Sequence, residues 1–195
     1  MTLFKNISVV LSMMLFAMGC AQQESQEENM QSGPQVEQEV EETMSNAPEF
    51  SKTVAVIHPT EGNEASGTVT FTKTADGVQV QAEVTGLAEG KHGFHIHQYG
   101  DCTAADGTSA GGHFNPASND HAGPTAESRH MGDMGNIEAD ADGNATIDYV
   151  DSTIDINQII GRGIIIHGGE DDLESQPTGA AGPRMGCGVI GIASN

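Results

Sequence analysis

The chain has 195 residues, 28 acidic against seven basic side chains, and a formal charge of −21. That balance argues against nucleic acid as a partner, since phosphate recognition needs clustered Lys and Arg, and against electrostatic docking on anionic lipid. With 25 glycines, no tryptophan and no apolar run of the ~20 residues that a spanning helix needs, it reads as one loop-rich β domain with an appendage.

Residues 1–20 read as a secretory signal, with Lys5 before an apolar run from Ile7 to Met18 and then Gly19-Cys20. The small residue before Cys20 resembles a bacterial lipobox, in which the cysteine is lipidated and begins the mature chain. Ala17 stands where leucine is usual and Met18 is bulky, so an ordinary signal peptide stays open beside it. Residues 21–50 hold eight acids and no Lys or Arg. Too little apolar surface is available there to offset ordering entropy, which predicts a disordered acidic linker. The chain is therefore expected to be exported and lipid-anchored through Cys20. The only other cysteines are Cys102 and Cys187. If Cys20 carries lipid, an even pair remains, and an oxidising compartment makes a Cys102–Cys187 disulfide the natural outcome.

The body, 51–195, reads as strands. Thr53–Ile57 and Gly67–Lys73 are β-branched runs, and Asp76-Gly77 marks a hairpin before the alternating Val78–Val84. Asp142-Gly143 repeats that signal before Thr146–Val150, Gly163–His167 is a buried-type run, and Cys187–Ile192 closes the series. Short strands with Gly-rich turns predict a sandwich or flattened barrel. Two strand-poor stretches, about 98–133 and 168–186, are long enough to be functional loops.

Eight histidines accompany only seven Lys and Arg. Six form a pattern with one aspartate: His95-x-His97, His113, His121, His130-x-x-Asp133 and His167. On a strand, residues two apart share a face at roughly 6.6 Å, so His95 and His97 can grip one ion from one side. His167, at the end of its strand, can complete the set from a neighbour. Three imidazoles and a carboxylate suit tetrahedral zinc, while nitrogen ligands alone suit Cu(II).

The segments HGFHIH (92–97), SAGGHFNP (109–116), RHMGDMGN (129–136), IHGGEDDL (166–173) and GPRMGCGVIGI (182–192) resemble the copper/zinc superoxide dismutase family. The resemblance runs over nearly all of 52–195 and implies an all-β, Greek-key sandwich or flattened barrel. It implies copper on His95, His97, His113 and His167. It implies zinc on His113, His121, His130 and Asp133, with His113 bridging both ions. Asp171 falls where a carboxylate hydrogen-bonds ligand histidines of both sites and fixes their tautomers. Arg184 matches an arginine beside the open copper face, where an always-protonated cation suits a small anion. His92 matches a structural histidine, and His58 has no place in the pattern. The implied activity is dismutation: one superoxide reduces Cu(II) and leaves as dioxygen, and a second oxidises Cu(I), takes two protons and leaves as hydrogen peroxide. In that scheme His113 takes up and supplies a proton, and Arg184 receives the substrate.

Two departures refine the resemblance. Cys102 directly follows Gly100-Asp101, a position like that of the bacterial exported form, which places the protein in a bacterial envelope, periplasmic or surface-held. The segment Asp172–Arg184 is short and has no Lys, where longer members carry charges that guide superoxide. Bacterial and eukaryotic members dimerise through different surfaces, so a homodimer is left open. The competing class is a lipoprotein that keeps the fold but buffers or delivers metal. Members of that kind lose a copper ligand or the arginine, and this chain keeps all six histidines, Asp133 and Arg184.

Overall fold

The β-branched and alternating runs become strands in the computed structural model, which describes residues 49–194. The expected signal peptide, its Cys20 and nearly all of the linker 21–50 lie outside the described residues. The strands are β1 (Lys52–Pro59), β2 (Ser66–Lys73), β3 (Val78–Thr85), β4 (Gly90–His97), β5 (Asp133–Ala139), β6 (Ala145–Asp151), β7 (Gly163–His167) and β8 (Arg184–Ile192). A one-turn helix, α1 (Ile156–Ile159), begins at Asp155, whose side chain accepts from the Asn157 N–H. Among the described residues, helix is otherwise confined to a 3-10 turn at Thr108–Ala110.

All neighbouring strands pair antiparallel and close a barrel in the order β1-β2-β3-β6-β5-β4-β7-β8. The connections β3 to β4 and β6 to β7 both cross over, which is the Greek-key device. The all-β Greek-key expectation therefore holds, with full closure. The sequence marks β4 only through the His95-x-His97 pair and gives no sign of β5, and β8 begins three residues before Cys187.

Alternation explains what fills the barrel. Val78, Val80, Ala82 and Val84 of β3 face inward with Val69 and Phe71 of β2, and all are buried. Removing such side chains from water at about 25 cal/mol per Å² is the main source of stability. On β4 the same alternation has a second use. Phe94 and Ile96 join the core, so His95 and His97 point out of the wall. They are nonetheless fully buried, because the long connections 98–132 and 168–183 cover that outer face. The metal-ligand types thus sit between a rigid wall and two loops. Cys102 of the first loop is bonded to Cys187 of β8, as expected, across 85 residues of sequence.

Candidate metal centre

β4 pairs with β7 in a register that sets His97 opposite Gly163 and brings His167 next to Gly93, and the His97 and His167 rings lean together until their Nε2 atoms are 3.4 Å apart. His113 reaches the same place through a bridge to the His97 backbone. The four side chains His95, His97, His113 and His167 offer nitrogens within 4.8 Å of one another, and so do the ligand atoms of His113, His121, His130 and Asp133. His113 belongs to both groups. Every one of these seven residues is buried.

Hydrogen bonds decide which ring nitrogen is free in each case. His95 Nε2 donates to Asp171 Oδ2 at 2.7 Å, His97 Nδ1 to the Gly111 carbonyl at 2.9 Å, and His167 Nδ1 to the Gly182 carbonyl at 3.2 Å. His121 Nε2 donates to Asp171 Oδ1 at 3.0 Å and His130 Nε2 to the Asn119 carbonyl at 3.1 Å. A neutral ring that donates through one nitrogen keeps a lone pair on the other, and His121 reaches that state once it gives up its second proton. The buried atoms left without a partner include His95 Nδ1, His113 Nε2, His121 Nδ1 and His130 Nδ1. Orphaned buried polar atoms are costly, and here they converge on two points.

The second group fits zinc. His113, His121 and His130 present Nδ1 at 2.7, 3.0 and 3.1 Å from a single Asp133 oxygen. Ligands about 2.0–2.1 Å from a tetrahedral zinc stand ~3.3 Å apart, so a small expansion admits the ion. The first group, nitrogens only, suits copper.

Charge follows from burial and pairing. Burial pushes His113 down to about 4 and His167 down to about 3, and it lowers His95 and His97 too. These rings are neutral at pH 7. Burial also opposes charge on His121, but the Asp133 carboxylate 3.0 Å from its Nδ1 and its bond to Asp171 outweigh it and raise the ring to about 9. Burial would lift both carboxyls, yet the hydrogen bond from His113 and the adjacent His121 ring hold Asp133 well below the carboxylate range, and hydrogen bonds from His121 and His95 do the same for Asp171.

Arg184 stands at the other side. A register shift between Ile166 and His167 puts a bulge where β7 meets the start of β8, and bulges re-aim side chains. Its guanidinium donates to the Gly107 carbonyl at 2.7 Å and the Gly111 carbonyl at 2.6 Å. Gly111 therefore accepts from both Arg184 and His97. His92 bonds the His167 and Ala88 carbonyls through its two nitrogens and belongs to neither group, and His58 is exposed on β1.

Sequence reasoning missed the residues that hold the loops. Arg129 is buried, with Nη2 on Asp151 at 2.6 and 2.7 Å and Nη1 on the Asp133 carbonyl at 2.7 Å. Three carboxamides each grip both backbone polar groups of one residue: Asn115 on Asn119, Asn136 on Asp171 and Gln176 on His121. Gly179 has φ +65°, and a Cβ there would lie 1.7 Å from Asp171 Oδ1. The one available signal was scarcity: Arg129 is among six bases after Cys20 and stands next to a pattern histidine.

A closed antiparallel barrel with two histidine-rich ligand groups sharing one ring defines a protein built for a pair of metal ions. The chain belongs to the copper/zinc superoxide dismutase family, whose profile, "Copper/zinc superoxide dismutase (SODC)", matches residues 65–190. It is 44% identical over 153 residues to the "Extracellular superoxide dismutase [Cu-Zn]" of Brugia pahangi, spanning 72% of this chain and 76% of that one. A solved structure, the clock protein EA4, shares the fold with TM-score 0.69 and 41% identity, covering 75% of this chain and 98% of its own.

Proposed function

We propose an exported superoxide dismutase in which His95, His97, His113 and His167 hold copper, and His113, His121, His130 and Asp133 hold zinc. The activity follows from the family: the protein is a superoxide dismutase with copper and zinc as its metals. The observation that carries the residue assignment is the pair of ligand groups meeting at His113. When bound, copper supplies the one-electron change by which one superoxide becomes dioxygen and the next becomes hydrogen peroxide, while zinc is redox-inert. The chain's own residues do the rest. Arg184 offers a fixed cation to the anion, anchored on two carbonyls. His113 holds and returns a proton at Nε2. Asp171 orients one ring of each site.

The test is dismutation by the metal-loaded full chain beside His113→Ala, with metal content read on both. The parent is expected to turn over with one copper and one zinc per chain, and the variant to lose most of the activity. Full loading of the parent without turnover would make it a metal-buffering protein instead.

Proton release gives an independent check on the zinc set. His121 sits at about 9 in the metal-free chain, so it is protonated at pH 7 and must lose that proton to ligate. Zinc affinity is expected to rise roughly tenfold per pH unit up to about pH 9 and to level off above it. Calorimetry in buffers of different ionisation enthalpy should count about one proton per zinc at pH 7. Adding copper should release a further one from His113. No release with either metal would remove these assignments.

The domain reading keeps 1–20 as signal, 21–50 as tether and 51–195 as the enzyme. A bacterial lipoprotein form is supported by Gly19-Cys20 and by the early Cys102, and the disulfide agrees with an oxidising compartment. A homodimer is supported by the outward cross-strand neighbours Val56 and Val189, 50% and 44% exposed, and by Ile192, 55% exposed. Mass spectrometry of the mature N-terminus and light scattering decide these two points.

A further inference from the structure

The bulge that aims Arg184 leaves backbone carbonyls to be satisfied from outside the β7–β8 ladder. One residue does it. The Thr60 N–H donates to the Met185 carbonyl at 3.1 Å, and the Thr60 hydroxyl donates to the Arg184 carbonyl at 2.7 Å. Thr60 stands just past the end of β1, is only 8% exposed, and its hydroxyl oxygen accepts from Asn63 Nδ2 at 2.8 Å. That acceptance leaves the hydroxyl hydrogen for Arg184. Its methyl lies 3.3 Å from where a Cβ on Gly107 would sit. Thr60 therefore holds the backbone the arginine grows from, and its methyl lies on the side of Gly107, the glycine whose carbonyl receives the head group.

We infer that Thr60 is a positioning residue for Arg184 and so sets the affinity of the site for small anions. The inference rests on the reading of Arg184 as the substrate-binding cation. Physically, a carbonyl at a bulge can swing, and a swing of the Arg184 peptide shifts the root of a long side chain. Two donors on consecutive carbonyls lock that peptide. Losing one such buried hydrogen bond should weaken the anion site by about 2- to 10-fold.

The probe is inorganic phosphate, titrated into the zinc-loaded, copper-free full chain while the Arg184 Nε–H signal is followed by NMR. Thr60→Val keeps the shape and the backbone N–H but removes the hydroxyl. It is expected to weaken phosphate about 2- to 10-fold and to lower the second-order rate with superoxide, once copper is added, by a similar factor at unchanged metal content. Thr60→Ser keeps the hydroxyl and is expected to bind phosphate like the parent. Arg184→Ala separates the two ideas. If it binds phosphate as the parent does, the reading of Arg184 falls and the inference with it. If Arg184→Ala weakens phosphate and Thr60→Val does not, only the role of Thr60 is overturned. If Thr60→Ser falls as far as Thr60→Val, the methyl rather than the hydroxyl does the work, and the inference is overturned as well.

Discussion

Asp171→Asn is expected to strip metal from at least one of the two sites. The carboxylate accepts from His95 Nε2 through Oδ2 and from both His121 Nε2 and the Leu173 N–H through Oδ1. An asparagine has one acceptor end. Whichever way its amide turns, an NH₂ group meets a ring N–H, and that ring must shift its proton to the other nitrogen. The nitrogen so protonated, His95 Nδ1 or His121 Nδ1, is the one otherwise left for a metal. Loss of a partner of this kind weakens metal binding by about 10- to 100-fold. Copper and zinc per chain, measured after equilibration with a chelator, read the effect. Parent-like retention of both metals would sink the argument.

Removing the disulfide should have the largest effect on stability. Cys102–Cys187 closes a loop of 86 residues, which on the chain-entropy account contributes about 4–5 kcal/mol. For a domain of this size each kcal/mol moves the unfolding midpoint by about 2–4 °C. The metal-free Cys102→Ser, Cys187→Ser double variant should therefore unfold roughly 10–20 °C below the oxidised parent by calorimetry. A drop under about 5 °C would show that the reduced chain is already restrained. The bond also joins the loop carrying Gly107 and Gly111 to the strand carrying Arg184, so the arginine's frame should loosen with it.

The sequence made the metal chemistry more legible than the wall that presents it. His95-x-His97 announces a strand face through its period of two, and six strands carry β-branched or alternating signals. β4 and β5 do not. In β4 the outward positions hold His95 and His97 under a loop, so all of 92–97 is buried and polar residues mark an interior position. In β5, DMGNIEA begins with an aspartate and carries a glycine at φ +75°, both poor strand signals. The adjacency of β4 and β7, across which the His97 and His167 rings lean together, comes from barrel closure and leaves no local trace. The same holds for Asn115, Asn136, Gln176 and Thr60, whose single side chains reach partners 4 to 124 residues away. Such contacts are written in the tertiary structure, and a carboxamide in a loop looks the same with or without one.

The pairing of β1 with β8 has a kinetic meaning. The barrel's first strand finds its outer neighbour only when its last strand is in place, so much of the native contact is non-local and folding is expected to be slow by topology. Arg184 and Cys187 belong to that last strand. The arginine's bonds to Gly107 and Gly111 and the covalent link both wait on that last strand, so they can form only after the rest of the chain has been made.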